Sequence, residues 1–321
     1  MRTAPPSRPT ILVLHAGALG DCVLTLHLIA AMKKAWGDPR VTVAARSSIV
    51  QWAHRHGFID EARSLEEIGA HHLYNASGDV PERTIERLCG FERMVSFLGG
   101  PSEVVSKRLA EVFRREVVAV DPRPSQSAQA TAQHIVQQWA DQLRGYGMAV
   151  DVPASVQLEI RDRRALRDRL RSRIGGGTGR IVLCHPGSGG LTKCCPSDAL
   201  EGLVVALKKQ GWLAAWMIGP DEMERFGADY ARRLERTAPV IYEESVEIAA
   251  DLVTGADAFI GHDAGMTHVA ALAGVHTIAL FGPTDPAVWR PLGPQCSVMN
   301  FPKTTQPADE WVRSVVSQLD T

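Results

Sequence analysis

Short, nearly all-apolar runs recur along the chain, and between them lie longer segments whose apolar residues fall at helical spacing. Residues 10–14, 41–45, 93–98 and 116–120 read as buried strands in the first half, and 180–184, 213–218, 258–260 and 277–281 in the second. Helical patterns occupy 22–36, 48–56, 101–113, 130–146, 196–210, 221–237 and 245–255. Residues 239–242 form a weaker strand candidate, opened by a Pro that suits only its first position. Strand and helix alternating in this way predict parallel sheets covered on both faces. The tail, 308–319, carries Trp311, Val312, Val315, Val316 and Leu319 on one helical face and needs a surface to cover.

The alternation runs twice. The composition changes near residue 160, where 161–173 holds seven Arg and two Asp. Such a run reads either as a membrane-surface or lipid-phosphate contact or as a solvated helix face, and the second is the commoner. Gly175, Gly176, Gly177 and Gly179 follow as a flexible hinge by composition, and the pattern restarts. The expected division is a first domain over 1–174, a second over 175–305, and a terminal helix over 306–321.

Composition narrows the function classes. Of the 321 residues, 45% are hydrophobic and 22% charged, with net charge −1, so no global field favours nucleic acid and any anion must be held by local groups. No apolar run approaches a membrane span, and residues 1–9 lack the apolar core of a signal peptide. Six Cys without a CxxC pair fit reduced thiols in the cytoplasm. A zinc site from His185, Cys194 and Cys195 matches no common spacing. No two Asp are separated by a single residue, so a paired-carboxylate Mg²⁺ site is missing and no metal or other cofactor is expected.

The candidate chemistry lies in loops that follow the strands. Residues 261–268, Gly-His-Asp-Ala-Gly-Met-Thr-His, turn a buried strand into a small-residue helix. The first amides of that helix point outward with the dipole behind them, an anion site. Asp263 caps the turn or contacts a bound hydroxyl, and His268 falls in the first helical turn. A second strand–turn, ending in Gly282-Pro283-Thr284, follows beside it, and the two are expected to form a crevice for a phosphate-bearing ligand. The loop His185-Pro186-Gly187-Ser188-Gly189-Gly190-Leu191-Thr192-Lys193 allows close backbone approach through Gly and Ser and supplies a compact charge in Lys193. With the helix start near Gly265, Lys193 would clamp a diphosphate. Past the 213–218 strand, Glu222 and Glu224 are candidates for ribose hydroxyls or first-turn dipole residues. In Gly17-Ala18-Leu19-Gly20-Asp21, Asp21 is either a capping residue or a general base. Neither half carries GxGxxG, which disfavours a nicotinamide-dependent oxidoreductase.

Together, Gly17–Asp21, His185-Pro186-Gly187-Ser188 with Lys193 and Pro196, Gly261–His268, and Leu280-Phe281-Gly282-Pro283-Thr284 resemble glycosyltransferase family 9, the heptosyltransferases of lipopolysaccharide assembly. The resemblance implies a GT-B fold, two Rossmann-like domains with parallel sheets facing a central cleft and the terminal helix crossing back to the first. It implies an inverting, metal-independent transfer from a nucleotide diphosphate sugar, ADP-heptose in the best-known members, to a glycan or glycolipid acceptor of lipopolysaccharide type. The site would sit at the inner face of the inner membrane, with peripheral association. By the same resemblance Asp21 is the base and Lys193 the phosphate-binding lysine. Asp263, Ala264, Gly265, Met266, Thr267 and His268 match the family's nucleotide-sugar loop, and Gly20, Ser188 and Glu222 are further expected contacts of the donor. His15 and Cys195 depart from the family pattern, where a basic residue and a Trp are usual. Two other classes use the same loops: a nucleotide-sugar epimerase, which acts without an acceptor, and a nucleotide-sugar-binding protein that has lost transfer.

Overall fold

The computed structural model describes residues 8–126, 130–302 and 308–319. Most of the Pro-rich stretch 1–9 lies outside the described residues, as do 306, 307, 320 and 321 of the expected terminal segment. The chain divides into two compact units, 1–153 and 154–321.

The first unit runs β1 (Thr10–His15), α1 (Leu19–Ala35), β2 (Arg40–Ala45), α2 (Ile49–Arg55), β3 (Glu61–Ser64), α3 (Leu65–Ile68), α4 (Glu82–Cys89), β4 (Arg93–Phe97), α5 (Val104–Val112), β5 (Val117–Ala119) and α6 (Ile135–Gly145). Its sheet is parallel throughout, in the order β3-β2-β1-β4-β5. The helix expected from residue 130 begins instead at Ile135, where the His134 ring accepts the Val136 N–H.

The second unit runs α7 (Arg163–Arg173), β6 (Ile181–His185), α8 (Ser197–Lys209), β7 (Leu213–Ile218), α9 (Pro220–Glu235), β8 (Val240–Tyr242), α10 (Val246–Thr254), β9 (Ala258–His262), α11 (Gly265–Leu272), β10 (His276–Phe281), α12 (Pro286–Trp289), β11 (Cys296–Asn300) and α13 (Ala308–Ser317). Its sheet, also parallel, has the order β11-β10-β9-β6-β7-β8. β6 and β9 are buried along their whole length, as strands covered on both faces must be.

Both sheets therefore have the Rossmann order, in which strand succession reverses at one place. In the first sheet the reversal lies between β1 and β4, where His15 pairs with Phe97. In the second it lies between β6 and β9, where His185 pairs with Gly261. Connections that leave these neighbours in opposite directions open a crevice at their carboxyl ends. In the second unit that crevice is bounded by the β6 and β9 loops, with the β10 turn flanking on the far side of β9.

Two sequence expectations are corrected. The boundary falls twenty-one residues earlier than the glycine tract, because the arginine-rich helix is stapled into the second unit. Arg163 donates to the carbonyls of Thr254 and Ala273, Arg167 pairs with Asp257, Arg171 reaches the carbonyls of Gly177 and Gly179, and Arg173 donates to Glu243 and the Tyr242 carbonyl. These guanidiniums are spent on the fold, and the glycine tract is a loop tied down by Arg171. The terminal helix, expected to cross back to the first domain, packs on α8 of the second. Trp311, Val312, Val315, Val316 and Leu319 join the buried cluster of Leu200, Leu203, Val204 and Leu207, and Trp311 Nε1 donates to the Asn300 carbonyl at 2.9 Å. The apolar stripe finds its partner within its own unit.

Trp311 is buried in that cluster, so Trp311→Ala leaves a large cavity and is expected to destabilise the second unit by about 3–5 kcal/mol. Urea unfolding followed by circular dichroism measures this; a loss below about 1 kcal/mol contradicts the packing described.

Candidate active site

β6 delivers the loop 186–196, and β9 delivers Asp263 and Ala264 to the start of α11. The two loops are laced together. Lys193, in a short 3₁₀ turn (Leu191–Lys193), donates from Nζ to Asp263 Oδ2 at 2.8 Å across seventy residues of sequence. Ser188 Oγ donates to the Asp263 carbonyl at 2.7 Å. His268 Nε2 stands 3.8 Å from Asp263 Oδ1. Burial pushes the Asp263 carboxyl up, but the His268 ring and the Lys193 ammonium outweigh it and hold its pKa at about 2. His268 is itself buried, and its Nδ1 has no hydrogen-bond partner among the described residues.

α11 begins without a side-chain cap. Ala264 is extended (φ −152°, ψ 158°) and brings no side-chain oxygen, so the amides of Gly265 and Met266 have neither an intrahelical nor a capping acceptor. Thr267 is committed elsewhere: its hydroxyl donates to the His262 carbonyl at 2.6 Å and its N–H to the Ala264 carbonyl at 3.1 Å.

Sequence reasoning missed the strut beneath this site. His262 is fully buried; its Nε2 accepts the Cys195 N–H at 2.8 Å and its Nδ1 faces the Gly187 carbonyl at 3.2 Å. A carbonyl only accepts, so the proton sits on Nδ1 and the neutral ring ties both ends of the lysine loop to β9. Burial lowers its pKa to about 4, so the strut stays neutral near pH 7.

Glu222 is held just behind the loop. One oxygen accepts the Gly219 N–H at 2.8 Å, and the other lies 3.6 Å from His185 Nε2, whose Nδ1 donates to the Met217 carbonyl at 2.9 Å. A Cβ on residue 187 would meet Glu222 Oε1 at 1.8 Å, so only glycine permits this approach. Arg225 lies three residues on, on the same helix face as Glu222, and reaches the Ser188 carbonyl. That i, i+3 spacing was the available signal for it. Of the residues in the zinc alternative, His185 pairs with Glu222 and Met217 rather than with either Cys. Cys195 is buried in the core with its thiol pushed up to about 12, and no group of three metal-binding side chains occurs among the described residues.

In the first unit, β1 ends at His15 and α1 begins at Leu19, with Gly20 and Asp21 in its first turn. Asp21 Oδ2 accepts the Ala18 N–H at 3.2 Å, so the carboxylate closes the helix start and is oriented by it. It is half-buried. His15 is buried; its Nδ1 accepts the Gly17 N–H at 3.1 Å and lies 3.2 Å from Cys22 Sγ, and burial lowers its pKa to about 4. The structure thus brings Ser188, Lys193, Asp263, Gly265, Met266 and His268 to one crevice. Glu222 stands directly behind it, and Gly20 and Asp21 are at the corresponding place in the other unit.

A model of the glycosyltransferase family 9 (heptosyltransferase) matches residues 110–314. Lipopolysaccharide heptosyltransferase 1 of Pseudomonas aeruginosa is 32% identical over 158 residues, 49% of this chain. The match spans 42% of that relative's length. A glycosyltransferase family 9 structure from Veillonella parvula covers 98% of the chain and 97% of its own, with TM-score 0.72 at 16% identity. The structure of E. coli ADP-heptose lps heptosyltransferase II covers 97% and 98%, with TM-score 0.71 at 15% identity. At such identities the likeness is one of fold, and the fold is GT-B.

The pKa of His262 sets a sign for acid stability. Its folded value, about 4, lies below the ordinary 6.5, so the unfolded chain binds the proton first. Stability is full above pH 6.5 and is lost as pH falls toward 4. Asp263 adds a second window: its folded value, about 2, lies below the ordinary 3.8, and its contribution of about 2 kcal/mol disappears only between pH 4 and 2. Urea unfolding from pH 7 to 4 is expected to show declining stability, with a shallower decline in His262→Gln. An identical slope in that variant contradicts a neutral buried strut.

Proposed function

The chain belongs to glycosyltransferase family 9, and from that membership we propose that it transfers a heptose from ADP-heptose to a lipopolysaccharide-type glycan acceptor, with inversion and without a metal. The observation that carries this reading is the Lys193–Asp263–His268 group beside the uncapped start of α11, at the strand-order reversal of the second sheet. A diphosphate there accepts from the Gly265 and Met266 amides and from Lys193, while Asp263 fixes the direction of the ammonium. The unpartnered Nδ1 of buried His268 offers one more polar contact. Glu222, fixed by the Gly219 N–H, is assigned to the ribose hydroxyls, and Ser188 and Ala264 line the approach.

Asp21 is assigned as the base. Its carboxylate is already oriented by the Ala18 amide, so little rotamer freedom is lost on meeting the acceptor. It removes the proton of the acceptor hydroxyl as that oxygen bonds to the anomeric carbon from the face opposite the diphosphate. The C–O bond to the diphosphate breaks and configuration inverts. Base assistance contributes about 10²–10⁴ in rate. Charge stabilisation of the departing diphosphate by fixed amides and Lys193 is the larger contribution, several kcal/mol in a site shielded from water. The ammonium and amides take the part a divalent ion would otherwise play. The chain's similarity to a lipopolysaccharide heptosyltransferase supports the acceptor class, and peripheral association with the inner face of the inner membrane is part of the proposal. No helix among the described residues is long and apolar enough to cross a membrane.

Two contrasts test the assignment with ADP-heptose and a lipopolysaccharide core acceptor. Asp21→Asn keeps the oxygen that accepts from Ala18, so it is expected to retain ADP affinity while turnover falls about a hundredfold or more. Lys193→Ala is expected to weaken ADP binding instead, by calorimetry. Near-normal turnover in the first or unchanged affinity in the second removes that residue from its role. Transfer is also expected to persist in excess chelator; loss of activity restored by Mg²⁺ contradicts the metal-independent scheme.

A further inference from the structure

Arg225 stands apart from the other arginines of its helix. Arg232 pairs with Asp229, and Arg233 pairs with Asp198 and with Glu201 Oε1 at 2.6 Å. Arg225 has no carboxylate partner among the described residues. Its Nη1 donates to the Ser188 carbonyl and its Nη2 lies 3.5 Å from the Gly189 carbonyl. Both carbonyls belong to the loop that ends in Lys193, and Ser188 is the residue whose hydroxyl holds Asp263. Burial raises the Cys194 thiol and the field of Arg225 opposes that rise, so its charge is felt at the residue next to Lys193.

The backbone directs this arrangement. The run Pro220–Glu235 is two helices meeting at Gly227, which is left-handed in φ (74°) with ψ 175°. A continuous helix would keep Arg225 in line with Arg232, which pairs within its own segment, and with Arg233, whose partners lie on α8. The break lets the first segment lean over the lysine loop while the second keeps its own pairs. Only glycine takes that φ without strain.

Charge balance supplies the reason for such a residue. Lys193 and Asp263 are bonded at 2.8 Å, so as a pair they are neutral. A nucleoside diphosphate sugar brings a negative charge on each phosphate, and the amides of α11 answer only part of it. We propose that Arg225 completes the donor site, fixing the Ser188–Gly189 carbonyls and supplying the positive charge for the diphosphate that the Lys193–Asp263 pair does not. This rests on the donor reading given above. A guanidinium can span two carbonyls and still present remaining N–H donors to a phosphate; an ammonium has only three donors on one atom and no planar fork.

ADP is the probe. Calorimetric titration of the full chain is expected to show ADP binding weakened about tenfold or more in Arg225→Met, the loss of one charge-assisted contact, with the melting temperature within about 2 °C of the parent. Arg225→Lys is expected to recover part of the affinity through charge. Amide hydrogen exchange on the ligand-free chain reads the second role: exchange across 188–193 rises in both variants and stays unchanged elsewhere in the unit. ADP binding by Arg225→Met equal to the parent's overturns the charge assignment, as does an Arg225→Lys variant that recovers nothing. Unchanged exchange across 188–193 overturns the loop assignment. A parent chain that fails to bind ADP sinks the donor reading itself, and the exchange measurement still decides whether Arg225 holds the loop.

Discussion

The Asp263 carboxylate, nearly buried at the carboxyl end of β9, is the constraint on which the rest of the second unit's crevice depends. A buried carboxylate costs free energy unless it is paired and hydrogen-bonded. Here the ammonium of Lys193 and the ring of His268 meet it, and the balance falls clearly toward ionisation, with its pKa held at about 2. To satisfy that one group, the β6 loop must fold down onto the β9 loop. Ser188 bonds the backbone of the same residue, and His262 ties both ends of the loop from below. The amides at the start of α11 are then left facing the crevice. Donors fixed in advance in this way need no reorganisation when negative charge develops beside them.

The two units apply one plan to different ends. In each, a buried first strand ends in His at the reversal of strand order, and a loop carries the chemistry into the following helix. The first unit closes its loop with a carboxylate on a helix amide, while the second closes its loop with a cation on a carboxylate. Two different loop closures arise from the same topology because the capping solutions differ.

Much of this was legible in the sequence because parallel strands buried on both faces leave continuous apolar runs, and the loops after them stand out by Gly, Ser, Asp and Lys. β3 was not legible: Glu61–Ser64 sits at a sheet edge, half-buried throughout, with no apolar run to mark it. β11, at the edge of the other sheet, is hidden for the same reason. The domain boundary was misplaced because a glycine tract and an arginine run look like hinge and surface. Their long-range partners, carbonyls at 254 and 273 and the carboxylate of Asp257, have no local signature. Within the site, Lys193 stood out as a compact charge in a Gly- and Ser-rich loop, but its direct bond to Asp263 was not legible. The struts His262 and Arg225 act through backbone carbonyls and amides, and that bonding leaves no pattern beyond the i, i+3 spacing of Arg225 from Glu222.

The central claim is where a nucleotide diphosphate sits. A crystal structure of the chain soaked with ADP decides it. The account predicts pyrophosphate oxygens within hydrogen-bond distance of the Gly265 and Met266 amides and of Lys193 Nζ. Pyrophosphate density at any other place, with those amides and that ammonium left as they are, contradicts it.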